Sequence, residues 1–154
     1  QLQAYLDKED YDGALSNLEE ALIKDPTNAL YLYNAGFIYH QKKEDDSKGR
    51  EYYTRAMEAD SAYLDAIYML GLMHIDQSNV VVEKINKLGR SEKTKYNKYT
   101  KEKNDELAKA LTFFEKAYVI NSKDEATLEA LKEVYYKLGK YDDAKRIMSE
   151  LSEL

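Results

Sequence analysis

Two histidines, a few acid pairs, one glycine-led basic loop and one lysine-rich stretch are the residues of this chain that could do chemistry. His40 and His74 sit in no His-Glu-x-x-His pattern, and the chain has no cysteine. Zinc-ligand spacing is therefore missing, and structural or surface histidines are expected. The absence of cysteine also excludes disulfides and thiolate metal sites, but leaves the compartment open. Glu19-Glu20, Asp45-Asp46 and Asp142-Asp143 are adjacent in sequence. Neighbours on a helix point in different directions, so these pairs read as solvated surface and not as converging carboxylates. Gly89-Arg90-Ser91-Glu92-Lys93-Thr94 imitates the end of a phosphate-binding loop. Such a loop needs a glycine directly before the lysine, where Glu92 stands, and an earlier glycine that is missing. No serine, histidine and acid signature is present either. No catalytic residue, metal or cofactor is nominated, and a non-enzyme is expected.

The lysine-rich stretch is different in kind. Residues 84–103 carry eight Lys or Arg and two Glu, a local net of +6 in a chain whose total is -6. Lys84, Lys87, Arg90, Lys93, Lys95 and Lys98 belong to it, together with Tyr96 and Tyr99. It reads as a solvated hairpin kept soluble by its lysines, or as a contact surface for an acidic partner. The overall negative charge argues against a general nucleic-acid binder, and membrane contact is not expected.

The elements that must carry these residues are helical. One proline and six glycines in 154 residues leave few helix breakers, and no apolar run approaches the ~20 residues that cross a bilayer. Hydrophobic residues at 44% against charged residues at 34% place the chain among folded proteins of single-domain size. It starts at Gln1 with no methionine, so a piece of a longer protein is expected, from which a signal peptide could have been removed.

The chain repeats itself. Ala14, Leu18 and Ala21 are spaced four and then three. Gly49, Tyr53 and Ala56 repeat that spacing, as do Ala110, Phe114 and Ala117, and then Ala144, Met148 and Leu151. The steps between successive triplets are 35, 61 and 34 residues, so one repeat holds an insertion at about 78–104. The segments between triplets also align. Leu32, Ala35, Gly36 and Tyr39 match Ile67, Leu70, Gly71 and His74, then Leu128, Leu131, Lys132 and Tyr135. Helices are expected over 1–7, 10–24, 28–42, 46–59, 62–88, 92–120, 124–138 and 141–153.

Large apolar, Leu-Gly, Tyr, a Gly-x-Tyr-x-x-Ala turn (Gly139, Tyr141, Ala144), then Phe and Ala, resembles the tetratricopeptide repeat family. Pro26 falls where the family places its proline. The resemblance covers the chain apart from the insertion. It implies an all-α fold, an α-α superhelix of about four helical hairpins. The expected division is a truncated repeat over 1–28, then 29–62, 63–123 with the insertion, and 124–154. One hairpin cannot bury its own apolar face, so units must stack. Ser61 and Ser122 replace the proline, Asp46 replaces the turn tyrosine with an extra residue in that loop, and Lys132 replaces a packing glycine. The last change predicts a less tightly closed final hairpin. Val80, Val81, Val82, Ile85 and Leu88 extend an apolar stripe beyond the usual helix end. One hairpin with two overlong helices is expected, poorly packed and moving at its tip. Such hairpins occur in tetratricopeptide proteins of Bacteroidetes-type bacteria, which this chain resembles.

The resemblance also implies a site. In the family the first helices line a concave groove that binds a peptide or protein segment. Residue by residue, the groove positions are Leu30, Tyr33, Phe37, His40 and Gln41, with Asn34 placed to hydrogen-bond a ligand backbone. They continue as Asp65, Tyr68, Leu72, Ile75 and Asp76, then Ala126, Glu129, Glu133, Tyr136 and Lys137. The implied groove is aromatic and apolar at one end and acidic at the other. Chaperone-binding members clamp a terminal carboxylate with cations, but Asp65 and Met69 occupy those places here, so no such clamp is expected. At the ends, Ile147, Met148, Leu151 and Leu154, and on the other side Leu2, Tyr5 and Leu6, have nothing to cover them in sequence. A homo-oligomer through these ends, or an assembly role, is the alternative to a peptide-binding scaffold.

Overall fold

The computed structural model describes Tyr5 and residues 7–154. Leu2 and Leu6, and most of the helix expected over 1–7, lie outside the described residues. The helices are α1 (Tyr11–Lys24), α2 (Ala29–Phe37), α3 (Asp46–Ala59), α4 (Leu64–Asn86), α5 (Lys93–Ile120), α6 (Glu125–Lys137) and α7 (Tyr141–Leu151). Among the described residues no strand occurs, and every helix expected from residue 10 onward is present to within two residues at either end, the one over 28–42 only when its π-helical end Ile38–Lys42 is included. The boundaries were legible because short polar side chains cap them. Asp10, Asn28, Asp45 and Asp124 accept the backbone N–H of Gly13, Tyr31, Lys48 and Thr127 at 2.8 to 3.1 Å. Where serine replaces proline, Asp60 and Asn121 end the helix and accept the N–H of Ala62 and Lys123.

The extra residue near Asp46 is not simply absorbed in a loop. Helix α2 continues as a π-helical turn over Ile38–Lys42, with the N–H of Lys43 donating to the Ile38 carbonyl at 3.0 Å. One residue is taken up by the wider turn, and Glu44 at φ 52° then reverses the chain. The turn before α7 uses Gly139 at φ 73°, where a side chain would be strained.

The chain forms two compact units, 1–67 and 68–154. In the first, Ala14, Leu15 and Leu18 of α1 are buried against Ala35, Ile38 and Tyr39. Tyr5, Tyr11, Tyr31 and Tyr52 pack around them. In the second, Leu107, Ala110, Leu111 and Phe114 of α5 meet Leu128, Leu131, Val134 and Tyr135 of α6 and Ala144 and Ile147 of α7. Ile147 is fully buried, so it is not one of the uncovered end residues, whereas Met148 and Leu154 are exposed.

The triplet register is what closes the hairpins. A Cβ added at Gly36 would lie 2.8 Å from the ring of Tyr53, and one at Gly71 would lie 2.6 Å from the ring of Phe114. Both rings are fully buried, so each ring docks on a helix backbone that only glycine leaves bare. At Lys132 the expected loosening is local. Ala144 and Ile147 still bury, while Met148, at the repeat position of Tyr53 and Phe114, is 56% exposed.

Helices α4 and α5 are 23 and 28 residues long, about 34 and 42 Å. Ser78 and Val81 are buried in their seam, but Val82, Ile85 and Leu88 are only half-buried and Val80 is exposed. The apolar seam therefore thins toward the turn at 87–92.

Candidate functional site

The clearest concavity lies in the second unit, a hollow of about 630 Å³. Its walls are Tyr68, Leu72 and Ile75 of α4, Phe114 of α5, Ala126, Glu129, Ala130, Lys132, Glu133, Tyr136 and Lys137 of α6, and Ala144 and Met148 of α7. The helical period puts these side chains together. Tyr68, Leu72 and Ile75 lie four and three apart, as do Ala126, Ala130, Glu133 and Lys137. Of the groove positions expected in this unit, only Asp76 is not part of the lining; it is exposed on α4. Phe114, Ala130, Lys132, Ala144 and Met148 join the hollow without having been placed in it from sequence. Their signal was present, since Lys132 departs from the repeat and Met148 lacks cover.

The hollow is less acidic than its sequence implies. Glu129 is bonded by Lys132, and Glu133 accepts from Lys137 at 2.6 Å. These pairs are one turn apart and exposed, so each is worth little in stability, but together they neutralise the wall. Tyr68 packs on Phe114 with ring centroids 5.5 Å apart. Burial, then the Asp124 and Glu133 carboxylates, hold its phenol above the ordinary range. Tyr136 is 67% exposed and meets Tyr141 edge-on at 5.4 Å.

The expected groove residues of the first unit are arranged as an aromatic group. Tyr33 lies 5.6 Å from both Tyr53 and Tyr63 and 6.5 Å from Phe37, centroid to centroid. Burial, followed by the Asp65 carboxylate, raises the phenol of Tyr33 and likewise that of Tyr63. Leu30, Gln41 and Asp65 are exposed, and Asn34 and His40 are half-buried. His40 packs edge-on against Tyr53 and contacts Gln41 at 3.1 Å.

His74 does not face the hollow's chemistry but ties the long hairpin at its root. Its Nδ1 lies 2.7 Å from Glu106 Oε2, and its ring stacks on Phe113 at 5.7 Å. Lys109 bonds the same carboxylate at 2.6 Å. Burial pushes Glu106 up, but the bonds from Lys109 and His74 outweigh it and hold the carboxyl below its usual value. No spacing rule could reveal this pair, because its partners are 32 residues apart.

In the basic hairpin, Lys84 reaches Glu102 at 3.5 Å and sits over the Tyr99 ring, and Lys95 bonds Glu92 at 2.7 Å. Lys87, Arg90, Lys93, Lys98 and Tyr96 are exposed. Among the described residues no group of three or more His, Asp or Glu side chains could hold a metal ion.

Residues 3–43 match the family described as TPR repeat. Among solved structures, an IFIT1 monomeric mutant with Gppp-AAAA is 18% identical over 97% of this chain, with a TM-score of 0.69. A TPR repeats protein from Bacteroides fragilis is 21% identical over 88% of the chain, with a TM-score of 0.63. MamA is 17% identical over 99% of this chain and 86% of its own, with a TM-score of 0.53. The chain spans 31% of the IFIT1 structure and 64% of the Bacteroides fragilis one. At these identities the likeness is one of fold. No curated protein matches the chain. Residues 3–43 thus match the TPR repeat family, and the paired helices of the described chain share the fold of a solved TPR repeats protein.

Proposed function

We propose that this chain is a non-catalytic scaffold that binds a segment of another polypeptide on its first helices, with the hollow of the second unit as a principal seat. The observation that carries this is the convergence of Tyr68, Leu72, Ile75, Glu133, Tyr136 and Lys137 on one hollow. It is mostly apolar, with a few polar groups at its wall, as ligand-accepting concavities are. An exposed tyrosine offers rigid contact area at low entropic cost, which suits Tyr136 as an anchor. The repeats are proposed to divide at 1–28, 29–62, 63–123 and 124–154 within a single domain.

The test is titration of a partner obtained by affinity capture, using the native chain and a Leu72→Glu, Tyr136→Ala variant. Binding should weaken by at least about tenfold, the loss of one hot-spot contact. Unchanged affinity with intact helical content would refute the reading.

The exposed lysines of residues 84–103 favour a second reading, attachment to an acidic partner or to another copy through the hairpin. That mode would be steeply salt dependent, whereas apolar seating in the hollow would not. The ligand of IFIT1 does not carry over on fold alone, and a net charge of -6 speaks against nucleic acid here.

A further inference from the structure

The aromatic group in the first unit carries a chemistry that the general scaffold reading does not name. We propose that Tyr33, Tyr63 and Asp65, with Tyr53 behind them, receive a basic side chain, arginine or lysine, from a partner polypeptide. The proposal rests on reading the first-helix residues as a binding face and specifies what one part of that face selects.

Three observations favour a cation. First, Tyr33 is flanked by Tyr53 and Tyr63 at 5.6 Å each, with interplanar angles of 37° and 45°. The negative face of a phenol ring attracts ammonium and guanidinium groups. Tyr33 and Tyr63 are half-buried, so part of each ring is accessible. Second, Asp65 is exposed in the first turn of α4, near enough to perturb both of those phenols, and Asp60 acts on Tyr63 as well. Residues 1–67 carry seven Lys or Arg against fourteen Asp or Glu, a net of -7, so the field around the group attracts a cation. Third, Tyr53 is completely buried and lies 5.6 Å from Tyr33, so it backs that ring from the core and holds it in place.

An apolar side chain would cover the rings but leave Asp65 unanswered. An acidic one would meet Asp65 and the negative ring faces. A basic one suits both the rings and Asp65.

The experiment is an NMR titration of chain labelled in its tyrosine rings. The probes are a capped nine-residue glycine-serine peptide with one central arginine and its twin with citrulline, the neutral isostere. The arginine peptide should shift Tyr33 and Tyr63 and bind at least about fivefold more tightly than the citrulline twin, with the difference shrinking as salt rises. Asp65→Asn, an exposed change that leaves the core intact, should reduce the difference below about twofold. Equal binding of the two peptides at Tyr33 and Tyr63 would overturn the cation chemistry while leaving the scaffold reading standing. Shifts confined to other residues would overturn the site. Self-association at raised concentration that Asp65→Asn abolishes would assign the site to a second copy's basic residues and overturn the separate partner. The scaffold reading falls separately, by the hollow variant described above.

Discussion

The hairpins α2–α3 and α6–α7 are built on the same register and end differently. In the first, Gly36 faces Tyr53, which is fully buried. In the second, Lys132 holds the repeat position of that glycine and Met148 that of the ring, and Met148 is 56% exposed. The α4–α5 hairpin sides with the first, since Gly71 receives Phe114. A bare backbone lets a ring lie against the helix and become core. With lysine in the same place, Met148 and Lys132 both line a hollow. One position in the repeat thus separates a hairpin that buries its large residue from one that presents it.

Substitutions at the two ends of this contrast should differ most. Phe114→Ala empties a fully buried site and should cost about 3–5 kcal/mol, while Met148→Ala should cost under about 1 kcal/mol. Denaturant unfolding of both variants checks this, and similar losses would break the contrast. Gly71→Ala forces a methyl to within 2.6 Å of a ring with nowhere to go, for an expected loss of about 2 kcal/mol. Lys132→Ala should be neutral to within about 0.5 kcal/mol by the same measurement.

Smaller and more specific is the alkaline limb of the pH–stability curve. Burial, then a bond to Glu115 at 2.8 Å, pushes Tyr135 up to about 12. Its folded value lies above the unfolded one, about 10. The unfolded chain therefore releases the proton first, and the contribution of Tyr135 is present below pH 10 and lost as pH rises toward 12. Tyr135→Phe should flatten that part of the curve. An unchanged slope between pH 10 and 12 would show that the hydroxyl contributes nothing there.

Much of the architecture was legible in the sequence because its causes are local. Helix ends follow from Asp10, Asn28, Asp45 and Asp124 as caps, and hairpin closure follows from small residues facing large ones at a fixed interval. Most first-helix residues lining the second-unit hollow stand at positions that the family resemblance implied, whereas Phe114, Ala130, Lys132, Ala144 and Met148 do not. Other features were not legible. The π-helical turn at Ile38–Lys42 depends on how one extra residue is absorbed. The paired state of Glu129 and Glu133 depends on which rotamers reach across a turn.

What the sequence determined by itself is the helical hairpin repeat and the side of each helix that must be buried, because periodicity acts through neighbours three, four and thirty-four residues away. What only the tertiary structure decided is the pairing of distant groups. Glu106 meets His74, the rings of Tyr33, Tyr53 and Tyr63 converge, and Ile147 is buried while Met148 beside it is not. Those outcomes depend on distances between helices that no linear spacing encodes, since they arise only when whole faces settle against one another at close-packed density.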